Sequence, residues 1–218
     1  MSSFFNMDNG FFAVLGKICD VVFLSLIWMV FCIPIITFGP ANTALYYATV
    51  KVIRRERGYL FREFYKSFKL NFKRGAIIGV MITICFVILF LDIYASWAGI
   101  GDNKSLSSIM FGIYMAMTFF LLTVTIYIFP ILSRFDMTVR QLIKAACFMA
   151  LRHLPFTLLM FIITAAAILG IYIIPITIFV LPAVAALINS LLIERIFKKY
   201  MPQSENEEEN KKDEWYLE

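Results

Sequence analysis

The sequence predicts an all-α fold: a polytopic membrane helix bundle of about five transmembrane helices, with cytoplasmic interfacial amphipathic helices between them. Three observations carry this. Of 218 residues, 61% are hydrophobic and only 16% charged, and mean hydropathy is +0.81, well outside the range of soluble domains. The apolar residues fall in runs near 14–36, 76–98, 109–132, 154–173 and 175–193, each about the 20 residues that cover a ~30 Å hydrocarbon core at ~1.5 Å per residue. The basic residues collect between runs: nine Lys and Arg lie from Lys51 to Arg74, whereas the GIGDNKS connection offers only Lys104 against Asp102. The positive-inside rule therefore places 40–74 and 134–152 in the cytoplasm, with the N-terminus outside, the C-terminus inside and the chain multi-pass in the cell membrane. Residues 1–200 read as one membrane domain, followed by a disordered, charged cytoplasmic tail at 201–218.

The first span is preceded by Phe4, Phe5, Phe11 and Phe12, aromatic residues suited to the headgroup boundary, and by no signal-peptide pattern. Lys17 and Asp20, three apart on one helical face, pair with each other or with Asp92 of the second span. A charge inside a membrane is a functional candidate by default, but all three sit near span ends, where snorkelling accounts for them. A second arrangement lays residues 1–20 flat on the cytoplasmic surface and makes the first segment re-entrant. Pro34, Gly39 and Pro40 close the span and start a new element, because proline lacks an amide donor and glycine permits unusual dihedrals.

The stretch from Thr37 to Arg74 is neither uniformly apolar nor simply polar. Ala44–Arg57 reads as a packing helix, with Gly58 as its left-handed C-terminal cap. Beyond it, Phe61, Phe64, Tyr65, Phe68 and Phe72 recur at helical spacing, with Arg62, Lys66, Lys69 and Lys73 opposite them. That pattern predicts an interfacial amphipathic helix whose aromatic side lies in the headgroup boundary and whose basic side meets anionic lipid or a protein partner. Residues 138–152 repeat the pattern in part, matching Arg62 with Arg140, Glu63 with Gln141, Lys66 with Lys144 and Arg74 with Arg152. A parallel repeat of span, amphipathic helix and span is one account of this, and shared composition is the other.

Chemistry is sparse. No phosphate loop, zinc motif, nucleophile elbow or paired cysteine spacing occurs, so neither an enzyme nor a cofactor or metal site is expected. Cys19, Cys32, Cys85 and Cys147 read as small apolar packers, and His153 as a polar residue at a membrane boundary. Threonines 83, 118, 123, 125, 164 and 177 are expected to bond to helix backbone rather than to a substrate. Membrane spans on both sides of the basic helix exclude nucleic acid as its partner.

Pro34, Thr37-Phe38-Gly39-Pro40-Ala41, Thr43-Ala44-Leu45-Tyr46-Tyr47, Gly58-Tyr59 and the Phe61–Lys73 pattern ending Asn71-Phe72-Lys73 resemble the YesL family, small membrane proteins of Gram-positive bacteria with a domain of unknown function. Phe4-Phe5 and the Phe129–Thr138 stretch are similar too. The resemblance implies a genomic setting of carbohydrate ABC importers, two-component sensors and glycoside hydrolases, and brings no catalytic residues. The expected function is thus a non-enzymatic accessory protein of oligosaccharide uptake, docking on importer subunits or a sensor kinase through its basic aromatic helices, as a monomer or homo-oligomer in the lipid bilayer. A small metabolite permease and a lipid-binding structural protein are the alternatives.

Overall fold

The computed structural model describes residues 10–98 and 104–200. Phe4, Phe5, the connection at 99–103 and the charged segment 201–218 lie outside the described residues, and at Phe11 and Phe12 only the backbone is described. The elements are α1 (Gly10–Cys32), α2 (Phe38–Ala48), α3 (Leu60–Leu70), α4 (Phe72–Trp97), α5 (Lys104–Arg134), α6 (Val139–Arg152), α7 (Leu154–Ile173) and α8 (Leu181–Lys198). Short 3-10 turns at Ile35–Thr37 and Pro175–Phe179 join them, and a π-helical turn at Thr49–Arg54 continues α2. The all-α class holds, with no strand among the described residues.

Four of these helices, α1, α4, α5 and α7, are long and apolar enough to cross a membrane. Their outward faces match that environment: Ile77, Met81, Ile84, Val87, Ile88 and Leu91 of α4 are all exposed. The fifth expected span, 175–193, begins later. Pro175 opens a 3-10 turn, and Pro182 sits in the first turn of α8, where a missing N–H costs nothing, rather than inside a kinked helix. The helix then runs on through Glu194, Arg195 and Lys198, so its uncharged stretch is only the 13 residues from Leu181 to Ile193. It nonetheless doubles back along α7: Asn189 donates to Thr164 at 3.0 Å, and His153 Nε2 lies 2.9 Å from the Tyr200 hydroxyl.

At the centre lies α2, buried almost all round from Gly39 to Ala48, as a helix without a solvent face must be. Its Ala41, Ala44, Leu45 and Ala48 meet Val21, Leu24 and Ile27 of α1 and Leu60, Phe64 and Phe68 of α3. Its other side brings Tyr46, with Val50 of the π-helical turn, against Ile78 and Ile82 of α4, Tyr127 and Ile128 of α5, and Ile193 of α8. The break before it differs from the expected one. The chain leaves helix at Cys32 and turns through Ile35–Thr37, where the Thr37 hydroxyl donates to the Phe31 and Pro34 carbonyls at 2.6 and 2.7 Å. Pro34 marks that turn, whereas Gly39 and Pro40 belong to the first turns of α2, which starts at Phe38 and not at the expected Ala44. Their role is close approach: a Cβ on Gly39 would overlap the Gly75 carbonyl, and one on Gly79 would lie 2.7 Å from the Gly39 nitrogen. Gly75 and Gly79 are four apart on one face of α4, the small-residue spacing that lets two backbones touch.

The threonines behave as expected. Thr83, Thr118, Thr125 and Thr164 each donate to the carbonyl four residues back, and Thr123 to the one three back. The four cysteines are free, but Cys19 and Cys85 are exposed on apolar helices rather than packed inside.

Candidate docking surface

The amphipathic helix expected between Phe61 and Lys73 is α3, and its aromatic residues divide between two environments. Phe64 is fully buried and Phe68 is 9% exposed; both rings meet Phe31 of α1 edge-on, at 5.3 and 4.8 Å between centroids. They are core residues, which corrects their assignment to a docking face. The physical reason is that α3 lies on α1 and α2, so the row Leu60, Phe64 and Phe68 has protein beneath it and not lipid. Phe61, Tyr65 and Phe72 stay 52%, 48% and 42% exposed, beside the exposed Arg62, Lys66, Lys69 and Lys73. Phe61 and Tyr65 stack with ring planes 9° apart. The accessible surface is therefore a mixed aromatic and cationic band along one flank of α3.

Beneath the band lies a feature that the sequence pattern concealed. Glu63, the one acid of α3, turns inward and accepts from Lys51 of the π-helical turn at 2.8 Å, and Lys51 also lies 3.3 Å from the Tyr47 hydroxyl. Both charged side chains are close to fully buried. Burial works against the Lys51 ammonium, but the hydrogen bonds to Glu63 and Tyr47 outweigh it and hold its pKa above the ordinary value. Gly58 roofs this pair. Its φ of +83° is left-handed, and a Cβ there would lie 2.9 Å from the Glu63 carboxylate, so glycine is required both for conformation and for space. It is a loop residue following the left-handed Glu56, four positions beyond Arg54, and not the cap that the sequence predicts. An acid on the apolar side of a basic helix was the signal available for Glu63; nothing local marked Lys51 as its partner.

A second buried network ties α2 to α5 and α8. Glu194 accepts from Arg134 at 3.2 Å and from the Tyr46 hydroxyl at 3.0 Å, with both charged side chains almost wholly buried. Burial and the neighbouring carboxylate push the Tyr46 phenol well above its usual pKa, so it is a neutral donor. Arg54 donates to the Ser190 carbonyl at 3.1 Å. Arg134 and Glu194 are thus interior groups rather than part of a cytoplasmic charge cloud. Removing either partner of a buried ion pair of this kind leaves a charge in the interior without compensation.

The intramembrane charges do not converge. Lys17 bridges to Glu56 at 2.7 Å, not to Asp20 or Asp92, and that exposed pair lowers the Glu56 pKa through the hydrogen bond and charge of Lys17. Asp20 and Asp92 are half-buried on α1 and α4. Arg140 and Lys144 are exposed on α6, whose inner face is Leu142, Ala146, Met149 and Ala150. The order amphipathic helix, one non-helical residue, spanning helix occurs twice, at α3–Asn71–α4 and α6–His153–α7. Helix α2 has no counterpart before α6, and Gln141, matched in sequence to Glu63, caps its own helix from an exposed position. Among the described residues no cluster of His, Cys, Asp or Glu has the make-up of a metal site.

A family model described as "Protein of unknown function, DUF624" matches residues 21–93, the segment that runs from α1 through the Lys51–Glu63 pair into α4. The resemblance to the YesL family is borne out. The chain is similar to "Uncharacterized protein YesL" of Bacillus subtilis (strain 168), 23% identical over 210 residues that cover 94% of this chain and 97% of that protein. It is also similar to "Uncharacterized protein YteU" of the same organism, 26% identical over 148 residues that cover 66% of this chain and 65% of that protein. No solved structure matches.

Proposed function

We propose that this chain is a non-enzymatic membrane accessory protein of oligosaccharide uptake, which docks on an ABC importer subunit or its sensor kinase through the outer flank of α3. The observation that carries the reading is the exposed band of Phe61, Arg62, Tyr65, Lys66 and Lys69, held against the bundle by a buried ion pair. A helix that merely floated in the headgroup region would need no such anchor, whereas a recognition surface gains from a fixed geometry. The carbohydrate setting is what the YesL resemblance implies. The test is affinity purification from native membranes: an importer or sensor subunit is expected with the wild-type chain. Charge reversal at Arg62, Lys66 and Lys69 is expected to lose that subunit and alter sugar uptake, and an unchanged uptake would overturn the proposal.

We also infer the side of the membrane on which α1 begins. Lys17 and Glu56 touch, so they cannot lie across a ~30 Å hydrocarbon core from one another. The basic loop that contains Glu56 belongs in the cytoplasm by the positive-inside rule. This supports the arrangement with residues 1–20 at the cytoplasmic surface over the one with an external N-terminus. A membrane-impermeant thiol reagent applied to intact cells checks it: Asn9→Cys is expected to stay unlabelled until the membrane is opened, and labelling in intact cells would contradict it.

A further inference from the structure

The outward side of α6 carries Arg140, Lys144, Phe148 and Arg152 at four-residue intervals, one stripe along the helix. All four are exposed, and among the described residues neither Arg140 nor Lys144 has an ion pair. At the far end of the stripe the chain itself returns. Tyr200, the last described residue, packs edge-on against Phe148 at 6.5 Å and lies under the Arg152 guanidinium at 5.9 Å, with its hydroxyl on His153. The segment beyond Tyr200 therefore sets out from the Arg152 end of the stripe.

That segment is acidic. Residues 201–218 hold seven acids, Glu205, Glu207, Glu208, Glu209, Asp213, Glu214 and Glu218, against Lys211 and Lys212, so this segment carries −5 while the first 200 residues carry +10. The reach also fits. Twelve residues of helix separate Arg152 from Arg140, about 18 Å, and five to nine residues of extended chain from Tyr200 to the Glu205–Glu209 run reach at most ~17–30 Å. From these observations we propose that the acidic segment after Tyr200 lies back along α6, with Glu205–Glu209 on Lys144 and Arg140. The short tether supplies the carboxylates at millimolar effective concentration, well above what a free acidic peptide would provide. The occupant is this chain's own segment, in preference to an anionic lipid, because the opposite charge starts at the stripe's own end. The contact does not depend on the function proposed for α3; it does leave α3 as the unshielded one of the two basic surfaces.

Zero-length carbodiimide coupling tests this on the full chain in phosphatidylcholine nanodiscs, with equal amounts of light and heavy isotope-labelled protein and peptide mapping by mass spectrometry. The expected result is a link between Lys144 and one of Glu205, Glu207, Glu208 or Glu209 within a single copy, several-fold more abundant than any link from those glutamates to Lys66 or Lys69. The link should fall several-fold in about 0.5 M salt, where the screening length shrinks to about 4 Å. It should also fall in Arg140→Glu and persist in Arg140→Lys and in phosphatidylglycerol discs. Equal coupling to Lys66 and Lys69 would overturn the proposal, as would links found only between light and heavy copies. Loss of the Lys144 link on changing to phosphatidylglycerol would give the stripe to the lipid surface instead and would equally overturn it.

Discussion

Helices α3 and α6 share a sequence pattern and differ in how they are held. Both are short and amphipathic, both hand over to a long apolar helix after one non-helical residue, and both expose basic and aromatic side chains. The inner face of α6 is apolar throughout, and its start is fixed by a capping box in which the Thr138 amide donates to Gln141 at 3.1 Å. The inner face of α3 instead contains a carboxylate that reaches Lys51 of the preceding turn, and a left-handed glycine makes room for it. Periodicity reports which side of a helix is apolar, but not what the opposing surface is made of. The difference predicts that α3 depends on an ionic contact in addition to its apolar row Leu60, Phe64 and Phe68, while the inner face of α6 depends on apolar contacts alone.

The largest expected effect comes from breaking that contact. Glu63→Ala leaves the Lys51 ammonium buried without its acid and is expected to cost about 3–5 kcal/mol, while Lys51→Met with Glu63→Leu recovers most of the loss. Thermal unfolding in detergent of the single and double variants decides this, and a single variant as stable as wild type would remove the anchor. Next comes Gly58→Ala, expected to cost about 1–2 kcal/mol from the left-handed backbone alone, with the crowding of Glu63 added. For α6, Thr138→Ala removes the cap and should cost about 1 kcal/mol, read in the same unfolding assay. If Thr138→Ala proves as damaging as Glu63→Ala, the two helices are held alike and the contrast fails. The smallest effect concerns pH. Burial, then Lys199 and Arg152, lower the His153 pKa below 6.5, so its contribution is complete above that value and is lost as pH falls through the lowered pKa. Tyr200 should loosen from His153 over that acid range, seen as a change in tyrosine fluorescence that His153→Gln abolishes.

Much of the fold was legible in the sequence because it follows from length and period. The apolar runs at 76–98, 109–132 and 154–173 fall on α4, α5 and α7, since uninterrupted hydrophobicity over about 20 residues has few other outcomes. The place of α2 was harder to see. Lys51 and Arg54 of the turn that continues it give it a cytoplasmic look, whereas its burial comes from apolar residues of α1, α3, α4, α5 and α8 that lie far apart in the chain. Gly39-Pro40 reads as a breaker because both residues interrupt helices, yet here the glycine serves contact with Gly75 and Gly79. The spacing of those two glycines on α4 was the available clue. Period could not separate the buried Phe68 from the exposed Phe61, because seven residues at ~100° each leave them only about 20° apart round the helix. The Arg134–Glu194–Tyr46 network joins three helices far apart in the chain and leaves no local trace.

The contrast between the helices also bears on what each surface meets, and a photoreactive phenylalanine analogue at Phe61, irradiated in living cells, addresses the central claim most directly. Docking through α3 predicts an adduct with an importer subunit or a sensor kinase, absent when Arg62, Lys66 and Lys69 are replaced by glutamate and present when the same replacements are confined to Arg140 and Lys144. Adducts with lipid alone, or protein adducts untouched by charge reversal on α3, would contradict it.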